Sequence, residues 1–388
     1  MPWKDTSVLD ERIRFVALAL RRKQSFTNLC AEFGISRPSG YRWLHRYQET
    51  GSFTALVDRS HKPESSPNQT PAGIERRVLE LRARDGWGAK KLYVKLEEEG
   101  IHLSVTTINR ILHRNGVMRR KDSHQPALKR FERPYPNQLW QMDFKARYPI
   151  QGGHCYPLAI LDDHSRFAVG LHTLPSTGAL CTHEAVVGTM HRYGVPKAML
   201  MDHGTPWWNS NSGGGITWMS VQLMKQDIRL YFGAFRHPQT QGKVEALNRT
   251  IGRAFDHHGR PTTMVDSIRF LEDFVQTYNY DRPHEGIGMQ VPVSRYAPSE
   301  KAYNPNPRPW DYSSEWSVTR VNSQGSIDYC GRRLFVAKPL AGENVAVLEI
   351  DGRLITRFRN TYIREADLET RKTKPFTHPI HDVRYIEF

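Results

Sequence analysis

Apolar residues recur at helical spacing through the first fifty residues of the chain. Between Glu11 and Gln48 this spacing predicts three short helices, and its clearest run is Ile13, Val16, Ala17 and Leu20. Before the third helix, Gly34 can adopt a left-handed C-terminal turn, and Ser36 can cap the helix from Arg37 to Gln48. This break predicts a helix-turn-helix within residues 1–57.

The third predicted helix presents a polar and aromatic face to solvent. Its outward side chains are Arg37, Tyr41, Arg42, His45 and Arg46. Cationic and hydrogen-bonding side chains on one helix face suit a recognition helix in a DNA major groove, so we expect them to contact DNA. A helical hairpin that packs only against protein is the alternative.

A second helical module is predicted at residues 70–118. Residues 58–71 are rich in Pro, Ser and charged residues, which is typical of a linker. Three helical segments follow, Ile74–Arg84, Ala89–Glu99 and Val105–Asn115, with Ser104 as an N-cap. They indicate another helix-turn-helix. The basic stretch Arg119–Arg133 suits a phosphate backbone, although it could equally be a solvated charge run.

From Asn137 the period changes from helical to extended. Strands are predicted at Leu139–Tyr148, Tyr156–Asp162 and Phe167–Thr173, followed by a helix at Ala179–Tyr193 and a strand at Ala198–Met201. This order predicts an α/β core with a mixed sheet in residues 137–297. Alternating Val-rich segments between Trp316 and Leu368 predict a small β-barrel in residues 314–370. The chain is therefore expected to be multidomain.

Charge and cysteine usage narrow the class of partner. Lys and Arg number 55 against 40 Asp and Glu, a formal net charge of +15 with a pI near 9.7, which favours a polyanion such as nucleic acid. The four cysteines form no C-x-x-C pair, so neither a zinc finger nor a disulfide scaffold is predicted. Without a secretory h-region or a long apolar run, we expect a cytoplasmic, nucleoid-associated protein with no membrane partner.

Three acids occupy positions that suit chemistry. Strand alternation places Asp143 on the face opposite Trp140, where burying a lone carboxylate is costly. Asp202 follows a short apolar strand, at the edge where open α/β sheets bind ligands, although it could simply form a turn. Glu245 lies opposite the apolar stripe of a helix, where a weak surface pair with Arg249 is the alternative.

Four ordered motifs give the chain a family resemblance over roughly residues 10 to 300. They resemble those of the DDE transposases of bacterial insertion sequences, which have a retroviral-integrase-type core: WQMDF, DHGTPW, HPQTQGKVEALNRT and YNYDRPHEGIG. Two features differ from the family pattern. Ala246 replaces a basic residue that often follows the glutamate, and the 42 residues between Asp202 and Glu245 exceed the commonest spacing. The Gly-rich segment Asn209–Gly215 accounts for the extra length.

The resemblance implies a ribonuclease H-like core in which Asp143, Asp202 and Glu245 bind two Mg²⁺ ions, with Mn²⁺ as a substitute. It implies a polynucleotidyl transferase that hydrolyses DNA at the transposon ends and joins the freed 3′ hydroxyl to target DNA. Its partners would be double-stranded DNA, both terminal inverted repeats and target, and further copies of the chain. Lys243, Asn248 and Arg249 would contact this DNA.

Other assignments remain open at this stage. A catalytically inactive DNA-binding regulator and a ribonuclease H-type nuclease share many of these features. Asp162 and Asp163 also end a strand and could rival the metal ligands, but we expect them to form a turn with Ser165 and Arg166. No convincing Arg-rich set supports a serine or tyrosine recombinase. The predicted barrel could bind DNA, bind a second copy or only complete the fold.

Overall fold

The computed structural model describes residues 7–58, 69–117, 131–209, 215–233, 241–376 and 379–380. The chain forms two compact units, Met1–Pro71 and Ala72–Phe388. Most of the predicted linker, of the basic stretch and of the Gly-rich segment lies outside the described residues. Among the helices that the structure describes, none is both long and apolar enough to cross a membrane.

The first unit contains the three predicted helices, α1 (Val8–Arg21), α2 (Phe26–Glu32) and α3 (Arg37–Thr50). Gly34 has φ of +63°, the left-handed conformation predicted for it. Ser36 Oγ accepts a hydrogen bond from the Ser39 amide at 3.3 Å and so caps α3 as predicted. Phe15 and Trp43 lie in the core between the helices. These elements form a helix-turn-helix.

The second unit begins with α4 (Ala72–Asp85), α5 (Ala89–Glu98) and α6 (Val105–Arg114), each within two residues of its predicted bounds. Their apolar faces enclose a separate core that includes Leu92 and Ile108. The module also contacts the region that follows it. Lys91 Nζ donates to Glu285 Oε1 at 3.2 Å, and the His257 ring makes a 2.7 Å hydrogen bond with the Ala83 carbonyl.

A mixed sheet forms the centre of this unit, as predicted. The strands in chain order are β1 (Trp140–Phe144), β2 (Tyr148–Ile150), β3 (Gly153–Asp162), β4 (Ala168–Leu174), β5 (Ala198–Met201), β6 (Trp208–Asn209), β7 (Gly215–Ile216) and β8 (Arg229–Gly233). Across the sheet the order is β4, β3, β1, β5, β8, and residues 379–380 (β16) pair with β8. The β4–β3 and β3–β1 pairs are antiparallel, whereas β1–β5 and β5–β8 are parallel. β2 pairs with β3, and β6 forms a separate ribbon with β7.

Helices cover the two faces of this sheet. Trp140 and Met142 pack on one face in a cluster with residues of α7 (Ala179–Tyr193) and α8 (Trp218–Lys225). The other face packs against α9 (Gly242–His258) and α10 (Met264–Gln276). Because successive side chains of a strand alternate, Gln141 and Asp143 point toward the α9 side. This alternation places an acid beside a helix that carries another.

The C-terminal region forms an open sheet. Its strands are β9 (Ser317–Arg320), β10 (Ser326–Tyr329), β11 (Arg332–Phe335), β12 (Asn344–Ile350), β13 (Arg353–Phe358), β14 (Thr361–Asp367) and β15 (Thr373–Pro375). Five of them pair in the order β15, β14, β13, β12, β9, and β10 pairs only with β11. Among the described residues no pairing joins β15 to β9, so the predicted closed barrel is not confirmed.

Candidate active site

Asp143 lies on β1 in a half-buried position facing α9. Asn248 Nδ2, on that helix, donates to Asp143 Oδ2 at 2.9 Å. The pKa of the Asp143 carboxyl is raised to about 6, chiefly by burial and further by the negative charges of Asp202 and Glu245, against the lowering effect of the Asn248 hydrogen bond. Three acids from distant parts of the sequence therefore act on one another here.

Asp202 follows the last residue of β5, at the carboxyl edge of the sheet. Its Oδ1 accepts hydrogen bonds from the Gly204 amide at 3.0 Å and from Trp207 Nε1 at 2.8 Å. A Cβ atom added to Gly204 would lie 3.0 Å from both carboxylate oxygens, so a larger residue would require the Asp202 side chain to shift. Backbone and indole donors thus orient the carboxylate within a close-fitting turn.

Glu245 occupies the first turn of α9, where the N-terminal end of a helix favours negative charge. Burial nevertheless raises the pKa of its carboxyl, and the Arg249 guanidinium opposes this rise. Glu245 Oε2 lies 4.0 Å from Arg249 Nη1, with both side chains partly exposed. This is the weak helix pair that the sequence offered as an alternative, and it coexists with the approach to Asp143.

The acids suit a cation, although they do not form a compact ligand cage. Within the described ranges, no group of three His, Cys, Asp or Glu side chains is arranged closely enough to hold a metal ion. The pKa of Asp143 is nevertheless raised first by burial and then by the charges of Asp202 and Glu245, and a cation beside Asp143 would offset both effects. Asn248 Oδ1, beside Asp143, is buried and accepts no hydrogen bond from the residues that the structure describes. Carboxylate and amide oxygens are the hard ligands that Mg²⁺ prefers, so the residues present fit this ion.

The five side chains of α3 that are predicted to contact DNA differ in their exposure to solvent. Arg37, Arg42 and His45 are exposed. Tyr41 is exposed at its edge, while its ring stacks on Phe26 with centroids 4.2 Å apart. Arg46 is partly buried, donates to the Val57 carbonyl at 3.3 Å and lies 4.9 Å from the Trp43 ring. Arg46 therefore has a packing role in the first unit.

Comparison with known families matches the two regions just described. The integrase core domain matches residues 133–238 and 226–292, which together carry all three acids. This chain carries an integrase core. A helix-turn-helix domain matches residues 11–64, and a homeodomain-like domain matches residues 39–112.

Several proteins of insertion elements and retroviruses are similar in sequence to this chain. An uncharacterised 31.7 kDa protein of insertion element IS407 from Burkholderia multivorans is 25% identical over 253 residues, 62% of this chain and 86% of that protein. A putative transposase of insertion sequence element IS5376 from Geobacillus stearothermophilus is 22% identical over 365 residues, 89% of this chain and 84% of that protein. The Gag-Pol polyprotein of baboon endogenous virus is 30% identical over 151 residues, 38% of this chain but only 8% of the polyprotein.

The integrase core also contains buried acids beside the candidate site. Asp162 Oδ1 accepts from the Ser165 amide at 2.8 Å and from its hydroxyl at 2.6 Å, so it forms the predicted turn. Asp163 accepts from Gln141 Nε2 at 2.8 Å and from Lys243 Nζ at 2.5 Å. Both carboxylates are fully buried and have several donors, which agrees with the structural role expected for them.

Several residues around the acids were assigned differently, or not at all, from the sequence. Lys243 was expected to face phosphate, yet its ammonium pairs with Asp163, and burial lowers its pKa to about 8 against the raising effect of that partner. Asn248, for which DNA contact stays a prediction, donates to Asp143, a contact that the sequence did not indicate. Trp207 was not singled out, although the motif DHGTPW contains it. Its contact with Asp202, five residues earlier, could have been sought within that motif.

Proposed function

We propose that this chain is a DDE transposase, a polynucleotidyl transferase that cleaves DNA at the ends of an insertion sequence and joins the 3′ hydroxyl to target DNA. One observation carries the proposal: Asp143 on β1 is half-buried, and the pKa of its carboxyl is raised by burial and by the charges of Asp202, at the end of β5, and Glu245, in the first turn of α9. The strand order and the placement of the helices support a ribonuclease H-like fold for residues 137–297.

Asp143, Asp202 and Glu245 are the residues that would hold two Mg²⁺ ions, with Mn²⁺ as a substitute. When bound, such ions stabilise the negative charge on the attacking and leaving oxygens of phosphoryl transfer. The protein's part is to supply ionised, correctly oriented carboxylates. Asp143 has to lose its proton to serve, and the Asn248 donor favours the ionised form.

The remaining contacts hold these carboxylates in place. Gly204 and Trp207 fix the orientation of Asp202 through two hydrogen bonds to one oxygen. The apolar stripe of α9, which includes Val244 and Ile251, packs this helix on the sheet and carries Glu245 with it. Rigid elements that orient metal ligands in this way limit the reorganisation required during reaction.

We propose double-stranded DNA as the partner, both terminal inverted repeats and target. In the first helix-turn-helix, residues 1–57, the exposed side chains Arg37, Tyr41, Arg42 and His45 would contact it, with Arg46 behind them. Residues 70–118 would form a second DNA-binding domain, and residues 314–370 a C-terminal domain. Arg249, beside Glu245, would face phosphate. Holding two DNA ends at once would require a homo-oligomer on the DNA.

The test uses the full chain and the inverted repeats that flank its coding region. We expect Mg²⁺-dependent cleavage of labelled repeat ends and their joining to a plasmid. Glu245→Gln and Asp143→Asn should abolish both products while leaving DNA binding in EDTA unchanged, because each removes one metal-binding charge without enlarging the side chain. Glu272→Gln, an exposed position on α10, is the matched control and should retain activity.

Each outcome separates the alternatives. DNA binding without cleavage by the wild type would favour an inactive regulator. Cleavage without joined products would favour a nuclease. A covalent protein–DNA adduct would contradict the proposed chemistry, because direct phosphoryl transfer to water and then to a 3′ hydroxyl leaves no bond to protein.

A further inference from the structure

A buried polar network connects β1 to the start of α9. Gln141 Oε1 accepts a hydrogen bond from the Val244 amide at 3.3 Å, and Gln141 Nε2 donates to Asp163 Oδ1 at 2.8 Å. Lys243 Nζ donates to the same Asp163 oxygen at 2.5 Å and to the Asp163 carbonyl at 3.2 Å. One carboxylate thus joins a strand residue to a helix residue.

Among the described residues, the network is largely shielded from solvent. The Asp163 side chain has no exposed surface, Gln141 is fully buried, and the Lys243 side chain is 15% exposed. The Phe131 ring lies 4.2 Å from the Lys243 ammonium, and the Arg133 amide donates to the second Asp163 oxygen at 2.8 Å. Lys243 is therefore oriented inward and is poorly placed to meet a phosphate.

Two members of the network are close in sequence to the proposed metal ligands. Gln141 comes two residues before Asp143 on β1, and Lys243 comes two residues before Glu245 on α9. The hydrogen bond from Val244 to Gln141 lies between these pairs, so it fixes the backbone of the first turn of α9 relative to the strand that carries Asp143. Apolar packing by Val244 and Leu247 holds the helix on the sheet, but such packing is non-directional.

Stability alone does not account for this arrangement. Replacing a buried ion pair with apolar residues of similar volume is often neutral or stabilising, because desolvation offsets the attraction between the charges. Hydrogen bonds, in contrast, restrict both distance and angle. A network of directional hydrogen bonds is therefore better suited to positioning residues than to stabilising the fold.

We propose that Gln141, Asp163 and Lys243 are positioning residues that set the placement of the Glu245 carboxylate relative to that of Asp143. This inference rests on the proposed function, in which the two carboxylates share metal ions. Lys243 acts through Asp163 and the helix backbone and does not contact DNA.

The test measures Mn²⁺ affinity of the full chain by the electron paramagnetic resonance signal of free Mn²⁺, together with stability in urea. Lys243→Met leaves Asp163 without its cation and should lower stability and weaken Mn²⁺ binding. The double variant Asp163→Asn/Lys243→Met removes the charge imbalance and should recover stability. We expect its Mn²⁺ affinity to stay on the order of 10-fold or more below wild type, since lost supporting contacts typically weaken metal binding by 10- to 100-fold.

Two further variants complete the design. Arg359→Met breaks a half-buried ion pair, the 2.6 Å contact of the buried Arg359 with the partly exposed Asp227 in the turn after α8, and should lower stability without changing Mn²⁺ affinity. Gln141→Met removes both hydrogen bonds and leaves the charges intact. It tests the same inference if either charge variant fails to fold. It should weaken Mn²⁺ binding although the net charge of the protein is unchanged.

The outcomes separate a failure of the positioning role from a failure of the proposed function. If the wild type neither cleaves repeat ends nor binds Mn²⁺ in a manner that requires Glu245, the proposed function fails. If the wild type does both, and the double variant binds Mn²⁺ like the wild type, the positioning role is overturned while the function stands. Weaker DNA binding by Lys243→Met in EDTA, with unchanged Mn²⁺ affinity, would instead identify Lys243 as a phosphate contact.

Discussion

The indole of Trp207 combines two contacts that can be separated experimentally. Its Nε1 donates to Asp202 Oδ1 at 2.8 Å and to the Asp202 carbonyl at 3.1 Å. Its ring stacks on Phe144, next to Asp143 in sequence, with centroids 5.4 Å apart and planes 11° from parallel. One side chain thus joins the strand that carries Asp143 to the turn that carries Asp202.

We predict that Trp207→Phe weakens Mn²⁺ binding by about 10- to 100-fold, because the Asp202 carboxylate loses a donor that orients it. The phenyl ring can retain the stacking on Phe144. The change in the free energy of unfolding should therefore be smaller than the change in the free energy of Mn²⁺ binding. Mn²⁺ titration and urea unfolding of the same preparation measure the two effects. An unchanged Mn²⁺ affinity would mean that the Gly204 amide alone orients Asp202.

For single residues, the local sequence pattern predicted the roles of some side chains and missed the roles of others. The alternation around Asp143 predicted its face, since direction along a strand depends on near neighbours. Lys243 differs because its partner, Asp163, is 80 residues away in sequence and is brought near only by the packing of α9 on the sheet. Spacing within a motif could not reveal that contact.

Between elements, a histidine joins β4 to α7. His172 Nε2 forms a 2.7 Å hydrogen bond with Thr189 Oγ1, whose hydroxyl donates to the Ala185 carbonyl at 3.0 Å. Thr189 therefore accepts from His172, which requires a proton on that ring nitrogen. Burial lowers the pKa of His172 to about 4, so the ring is neutral in the folded protein near neutral pH.

This depressed pKa predicts a loss of stability in mild acid. Between about pH 6.5 and pH 4 the unfolded histidine binds a proton that the folded one excludes, so the free energy of unfolding falls as the pH falls through this window. His172 alone contributes about 3 kcal/mol across it. Urea unfolding at several pH values should show a shallower slope for His172→Gln.

A second variant tests whether the change in slope is specific to the buried histidine. His102 is a mostly exposed histidine beside Glu97, and His102→Gln should leave the slope nearly unchanged. The same slope for wild type, His172→Gln and His102→Gln would contradict the assignment.

In the proposed function, different arginines of α3 contact DNA and pack against the protein. Both guanidinium groups lie near the Trp43 ring, at 5.2 Å for Arg42 and 4.9 Å for Arg46, but Arg42 is exposed, whereas Arg46 is partly buried and hydrogen-bonds to the Val57 carbonyl. We predict that Arg42→Ala lowers the salt dependence of DNA binding by about one unit of slope with little change in melting temperature. Arg46→Ala should lower the melting temperature of the first unit. Fluorescence anisotropy over a salt series and thermal unfolding measure these changes, and a common effect of both variants would contradict the distinction.

Most helix and strand bounds followed from periodicity and caps, but the strand predicted at Leu139–Tyr148 ends at Phe144, and Tyr148 begins the separate strand β2. Closure of the C-terminal sheet did not follow from the pattern either. Alternation in segments such as Arg353–Phe358 identifies a strand, because it reports which side chains are buried. It says nothing about which strands pair at the two edges. The observed pairing leaves β9 and β15 at opposite edges of the sheet, and that outcome depends on long-range contacts.

Over the whole molecule, the C-terminal sheet and the integrase core share one apolar cluster. Val221 and Met224 of α8 pack with Leu334 of β11 and with residues of the larger sheet. The first unit has its own core around Phe15 and Trp43. Sequence patterns divided residues 137–297 from 314–370, whereas shared packing predicts that they unfold together.

We therefore predict two calorimetric transitions, one for each compact unit. Leu334→Ala creates a cavity in the shared cluster and should cost about 3 kcal/mol in the larger unit, lowering its transition as a whole. Phe15→Ala should lower only the transition of the first unit. Scanning calorimetry of the full chain distinguishes them. A third transition moved by Leu334→Ala, with the core transition unchanged, would show that the C-terminal sheet unfolds independently despite its contacts with α8.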